Sequence, residues 1–187
     1  PNGSAQRILL LAALGRAALA PAELACSEAH GTGTPLGDPT EAGALAAVHD
    51  ARALPMAVGA AKAKVGHSEA ASGQVGLLRL NEVAGVVAGN AQLRSLNPHV
   101  DSTLRAHAAC GLPTQVTWRA LHTERVGGVS SFGYAGTIAH AVLAFGGGEA
   151  RAFGRVEDTG PLPFPRAAGR EVWAGGCSPT DASRSTL

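Results

Sequence analysis

Aromatic residues are scarce in this chain, 4% of 187 positions, and charge is scarce too, at 16%. With so few rings the core has to be assembled from Ala, Val and Leu, and a hydrophobic content of 45% is enough to build one. A chain this apolar is expected to cover part of its surface with another segment or protomer. Neither sign of charge dominates, since fifteen basic residues nearly cancel fourteen acidic ones. There is no dense Lys/Arg run, which argues against nucleic acid and against an anionic membrane as partners. The three cysteines, Cys26, Cys110 and Cys177, are an odd number, widely spaced and without a CxxC pair. That excludes a disulfide framework and points to a reducing compartment, the cytoplasm or a plastid. Cys26 and His30 stand four apart, and His99, His107, Cys110 and His122 are scattered, so no recurrent zinc spacing is met and no metal is expected.

Long apolar runs are missing as well. "QRILLLAALGRAALAPA" imitates a secretory signal, but Gly15-Arg16 interrupts it and the run is far too short to span a bilayer. It reads as a buried helix over 5–19, ended by Pro21. The single methionine is Met56 and the first residue is Pro1, so the chain reads as a piece of a longer protein.

What is present alternates. Short apolar stretches at 24–30 and 56–62 read as buried strands, each followed by a loop of small residues and then a helix. Asp38-Pro39-Thr40-Glu41 predicts a helix start, with Asp38 as cap, Pro39 in the first turn and Glu41 closing a capping box. A second helix is predicted over 74–87 and a short strand at 89–93. Residues 94–113 read as an irregular excursion. Strands are expected at 114–118, 126–132 and 138–145, the last two as a hairpin across Gly133-Tyr134-Ala135-Gly136. From Gly146 onward Gly-Gly-Gly, three prolines and a Ser/Thr end read as a linker. The pattern is α/β and layered.

The loop "EAHGTGTPLGDP" (28–39) invites a phosphate reading, which fails. Gly31 and Gly37 are six apart and Asp38 follows, where a P-loop needs lysine. After Gly31-Thr-Gly33 the next glycine comes one position too late for a dinucleotide loop. His30 and His67 instead share a setting: each follows a short strand and feeds a helix. Ligands of open α/β sheets bind beyond the carboxyl ends of strands, so two such histidines can converge on one point.

"EAHGTGTPLGDPTEAGAL" (28–45), "KAKVGHSEAASGQVGLL" (62–78) and "GVSSFGYAGTIAHAVL" (128–143), in this order, resemble the carboxyl-terminal half of a β-ketoacyl synthase, the ketosynthase domain of modular polyketide synthases. The resemblance covers about residues 1–146 and leaves 147–187 as the linker that follows such domains. It implies a thiolase-like layered αβαβα fold, carboxyl-terminal half only. It implies decarboxylative Claisen condensation of an acyl thioester with malonyl-acyl carrier protein. His30 and His67 would then be the two catalytic histidines, donating N–H to the enolate oxygen. Lys62 would support the histidine network. Phe132, followed by Gly133, would act as gate, its backbone N–H helping to form an oxyanion hole. Thr32, Thr34 and Gly133 would hold the phosphopantetheine arm. No cofactor is expected to bind directly, because the substrate arrives on the phosphopantetheine of an acyl carrier protein. The implied partners are that carrier, the amino-terminal half of the ketosynthase and, when complete, a second copy in a homodimer.

Three features depart from the family pattern. The nucleophilic cysteine, which the family keeps in its amino-terminal half, has no counterpart among Cys26, Cys110 and Cys177, so the isolated chain is expected to be catalytically incomplete. Ala63-Lys64 replaces Ser-Asn after the lysine, and Ile138 replaces the asparagine before Ala139-His140, where His140 reads as structural. The alternative is a degenerate, non-catalytic ketosynthase partner used for docking or dimer geometry. Thiolase-fold enzymes that do not decarboxylate usually have cysteine in place of one histidine, so two histidines favour the decarboxylating branch.

Overall fold

The computed structural model describes residues 2–82, 86–87, 89–90, 93, 95–107, 109–113, 118–119 and 125–145. All of them lie in the first of two compact units, Pro1–Arg155. The expected linker from 147, His122 and Cys177 fall outside the described residues.

Asn2 caps helix α1 (Gly3–Arg16), its side chain accepting from the Ala5 N–H at 3.1 Å. The sequence predicts a helix buried all round. Instead Gln6, Leu10 and Leu14 are buried while Ile8 and Leu11 are exposed. A short 3-10 turn at Pro21–Glu23 leads into strand β1 (Cys26–Glu28), then helix α2 (Gly37–His49) and strand β2 (Met56–Gly59). The loop predicted at 63–73 contains a single helical turn, α3 (Lys62–Val65), and a 3-10 turn, Glu69–Ala71, before helix α4 (Ser72–Glu82).

Two departures follow. Val86–Val87 forms β3, pairing antiparallel with β5 (Trp118–Arg119), while Gly89 and Asn90 in the predicted 89–93 strand are not in a strand. The stretch expected to be irregular holds helix α5 (Pro98–Ala106), with Asn97 as cap accepting from the His99 N–H at 2.9 Å and Pro98 in the first turn, followed by the short strand β4 (Cys110–Gly111). Asn-Pro is a turn signal, but the same pair is also a good helix start: side-chain acceptor first, fixed φ second.

The hairpin is as expected. β6 (Arg125–Phe132) pairs antiparallel with β7 (Ile138–Phe145), from Arg125 opposite Phe145 to Phe132 opposite Ile138. The sheet order is β4-β2-β1-β6-β7, parallel except for β7. Side chains alternate faces along a strand, and this divides the core. Met56, Val58 and Val126 join Leu10, Leu14 and Leu45 under α1, α2 and α5. Cys26, Ala57 and Val129 meet Leu80 of α4 on the opposite face. The result is helix, sheet, helix, three layers of the expected five. Leu80 is the plug of the second face, 1% exposed. Leu80→Ala is expected to cost about 2–5 kcal/mol, read as a lower urea midpoint at unchanged slope.

Candidate active site

β1 and β2 lie side by side, so their carboxyl ends open at the same place. The Ala29 N–H donates to the Gly59 carbonyl at 2.8 Å and ties the two exits together. The chain then turns sharply at Gly31, φ +46°, where an added Cβ would stand 2.8 Å from the Ala60 Cβ. Glycine is required there on both counts.

Glu41 holds this turn. Its two carboxylate oxygens accept the consecutive amides of His30 (2.7 Å) and Gly31 (2.9 Å), and the side chain is buried. The predicted capping box does not form. Asp38 also reaches back, accepting from the Gly33 N–H at 3.1 Å, and α2 starts with no side-chain cap. Loop amides that would otherwise be unpaired compete for these carboxylates and win. Burial pushes the Glu41 carboxyl above its ordinary pKa against the lowering effect of those amides.

His30 is buried. Its Nδ1 receives the Phe132 backbone N–H at 3.3 Å and lies 3.4 Å from Lys62 Nζ. Two donors on Nδ1 place the ring proton of a neutral imidazole on Nε2. Burial first, then the charges of Lys62 and His67, lower the His30 pKa to about 4, so the ring is neutral at physiological pH. Lys62 is itself lowered by burial, against the pull of Glu41, Glu28 and Asp38.

His67 follows Gly66, which takes φ +79° at the end of α3. Its Nδ1 accepts the Glu69 N–H at 2.8 Å and lies 3.2 Å from Ser72 Oγ, again leaving Nε2 to carry the proton. The rings of His30 and His67 stand edge to face, centroids 5.9 Å apart, and Phe132 packs 5.2 Å from His30. Thus the structure brings His30, His67, Lys62 and Phe132 together. β6 delivers Phe132 as the other neighbour of β1, an adjacency that strand periodicity does not announce.

Of the residues that the resemblance assigns to a phosphopantetheine arm, Thr32 and Thr34 lie side by side and Gly133 stands in the hairpin turn. Thr32 and Thr34 hydroxyls are 3.3 Å apart, and Thr34 also accepts the Gly37 N–H at 3.1 Å. The Gly133 N–H closes the hairpin turn on the Thr137 carbonyl at 2.6 Å, so that amide is engaged. A cavity of about 510 Å³ opens beside Lys62 and His67, with Thr32, Leu45, Val58 and Leu112 among its lining residues. No group of three metal-ligating side chains occurs among the described residues.

The sequence departures can now be placed. Cys26 and Cys110 are buried thiols whose pKa burial raises to about 11, the opposite of an activated nucleophile. Ala63 and Lys64 are exposed, and the Lys64 charge acts on Glu28. Ile138 sits across from Phe132.

His140 bonds through Nδ1 to Ser130 Oγ at 2.9 Å, and burial lowers its pKa to about 4. A histidine depressed from 6.5 to about 4 on folding contributes stability that is present above 6.5 and lost as pH falls toward 4. Glu28 and Glu41, raised by burial, act in the opposite sense. The His140 share is therefore read as a difference: the drop in urea midpoint from pH 7 to pH 5 is expected to be smaller in His140→Phe than in the parent chain.

Neighbouring parallel strands deliver the paired imidazoles, with helices on both faces of the sheet, and the solved structures that share this arrangement are thiolase-like ketosynthase domains. Residues 1–82 match the family model described as "Beta-ketoacyl synthase, C-terminal domain". The chain carries the carboxyl-terminal part of a β-ketoacyl synthase domain of the polyketide synthase kind. Among curated relatives, an erythronolide synthase of Saccharopolyspora erythraea is 39% identical over 167 residues, 88% of this chain and 5% of the relative. A phenolphthiocerol/phthiocerol polyketide synthase of Mycobacterium tuberculosis is 41% identical over 152 residues, 78% of this chain and 8% of the relative. Among solved structures, an oxazolomycin ketosynthase domain of Streptomyces albus superposes with a TM-score of 0.70 at 34% identity, over 77% of this chain and 26% of that one. The ketosynthase from module 6 of the bacillaene synthase of Bacillus subtilis gives 0.70 at 28% identity, over 81% and 27%. The chain thus spans about a quarter of these ketosynthase chains and under a tenth of the curated relatives. These relatives are bacterial, and a plastid location finds no support in them.

Sequence reading misses three contributors. Glu41 passes for a helix cap. Glu28 draws no notice, although a carboxylate inside an apolar strand is a usable signal. Asn90 carries none.

Proposed function

We propose that this chain supplies the two-histidine part of a decarboxylative condensing site. The amino-terminal half of the ketosynthase supplies the nucleophilic cysteine, and malonyl-acyl carrier protein supplies the extender unit on phosphopantetheine. Residues 1–146 are the ketosynthase part and 147–187 the linker after it. The complete domain works as a homodimer in the cytoplasm.

One observation carries the reading: both imidazoles have Nδ1 occupied by a backbone N–H donor, so both present Nε2–H. When the malonyl thioester loses CO2, the electron pair of the breaking C–C bond flows into the thioester carbonyl and negative charge builds on its oxygen. Two pre-oriented donors stabilise that charge, and the burial of His30 strengthens its share. Burial first, and then the charge of Lys62 beside Nδ1, keep His30 neutral. Thr32 and Thr34 offer hydroxyls to the arm's amides. The Phe132 amide, engaged with His30 here, reaches a thioester oxygen only once that contact is released.

The test is to co-express the chain with a ketosynthase amino-terminal half and measure CO2 release from malonyl-acyl carrier protein. Release that vanishes in His30→Ala and His67→Ala supports the reading. A folded complex without release supports the other one, a non-catalytic partner, for which Ile138 and Ala63 speak.

A further inference from the structure

Lys62 reaches His30 from the first residue of a four-residue helix, a weak platform for a long, flexible side chain. The turn that launches it, Gly59 to Ala61, is held from two sides. From β1, the buried Glu28 carboxylate accepts the Ala61 N–H. From the opposite edge, Asn90 Oδ1 accepts the Ala60 N–H at 3.2 Å, while Asn90 Nδ2 donates to the Val58 carbonyl at 3.2 Å.

The second arrangement is a parallel ladder made by a side chain. In a parallel pair, one residue donates to a neighbour's carbonyl and accepts from the amide two positions on. β4 pairs with β2 only at Met56 and Ala57. Beyond that the Asn90 carboxamide takes over at Val58 and Ala60, anchored by its own N–H on the Pro113 carbonyl at 2.8 Å. Asn90 is buried, at 7% exposure. Gly59 completes the fit, since a Cβ there would stand 2.8 Å from the Glu28 carboxylate.

The two turns therefore follow one design. Glu41 holds the consecutive amides of His30 and Gly31, and Glu28 with Asn90 holds the consecutive amides of Ala60 and Ala61. They touch where Gly31 meets Ala60.

We propose that Asn90 and Glu28 are positioning residues that clamp the Ala60–Ala61 turn and so hold the Lys62 ammonium against His30 Nδ1. Their catalytic meaning rests on the two-histidine reading above, but their effect on His30 does not. The charged groups facing this assembly are Lys62, His67, Glu28, Glu41 and Asp38, together with Arg79 and Lys64, whose charges act on Glu28.

The test needs no substrate. In the full chain, histidine ring resonances are followed by NMR against pH. In the parent, His30 is expected to titrate at about 4, and so is His140, which lies on the hairpin and reports an intact fold. Lys62→Met removes the cation and is expected to raise the His30 midpoint by about one unit. Asn90→Leu is expected to raise it likewise with His140 unmoved, and Asn90→Leu combined with Lys62→Met no further than Lys62→Met alone. Glu28→Leu should act as Asn90→Leu does, and Glu28→Gln, which keeps an oxygen for the Ala61 amide, should restore the low midpoint. If Asn90→Leu does not fold, the Glu28 pair decides. A His30 midpoint still at about 4 in a folded Asn90→Leu or Glu28→Leu chain overturns the proposal, as does a joint rise of His30 and His140. Failure of CO2 release in the co-expressed complex would instead count against the condensing function and leave the clamp standing.

Discussion

His67→Ala is expected to lower malonyl decarboxylation by the reconstituted ketosynthase by about 10²–10³-fold, with binding of the carrier little changed. That range is what one preorganised donor to a developing oxyanion is worth. His67 Nδ1 is already an acceptor for the Glu69 amide, so the group lost is the Nε2–H donor and not a base. His67→Gln, which can still present an N–H, is therefore expected to retain more activity than His67→Ala. His30→Ala should cost at least as much, because it also leaves Lys62 Nζ and the Phe132 amide without their acceptor. The double variant should be little worse than either alone, since the two donors act as a unit. CO2 release measured at saturating malonyl-carrier protein separates the outcomes. A change confined to KM, with kcat intact, would mean that the rings bind the arm and do not touch the reacting carbonyl.

The largest effect on stability is expected at Glu41. Removing its carboxylate in Glu41→Leu strands the buried His30 amide, at about 1–3 kcal/mol, leaves the part-buried Gly31 amide unpaired as well, and releases the turn that aims His30. Glu41→Gln is not a conservative change here. It keeps one acceptor but turns an NH2 group toward the other amide, donor against donor. Its urea midpoint should fall between those of the parent and Glu41→Leu, and nearer the latter. A Glu41→Gln chain as stable as the parent would show that one of the two amide bonds contributes nothing.

Much of this is readable along the chain. Alternation of short apolar runs with small-residue loops indicates the α/β class, because a strand buried on both faces has to be short and apolar. The parallel neighbours β1 and β2, with a histidine after each, account for the pair His30 and His67. The hairpin at the end follows from two runs around Gly133–Gly136. What escapes such reading are features whose partners are remote in sequence. Helix α5 is hidden because Asn97-Pro98 serves a turn and a helix start equally well, and packing against α2 selects the helix. Glu41 looks as if it serves its own helix, since a capping box is the nearest use for it. The amides of His30 and Gly31, ten and more residues away, are the stronger claimants.

The groups able to do chemistry are already written in the order of residues: two histidines, a lysine, no nucleophilic thiol, and glycines where the chain must turn. Residue type and local spacing are properties of the chain, and they survive without a fold. Which nitrogen of each ring carries the proton, and which buried oxygens hold the turns, emerges once the chain is packed. Phe132 makes the choice of nitrogen for His30, and Glu69 with Ser72 for His67, while Glu41, Glu28 and Asn90 hold the turns; Phe132 and Asn90 arrive from segments that only the folded sheet brings into reach.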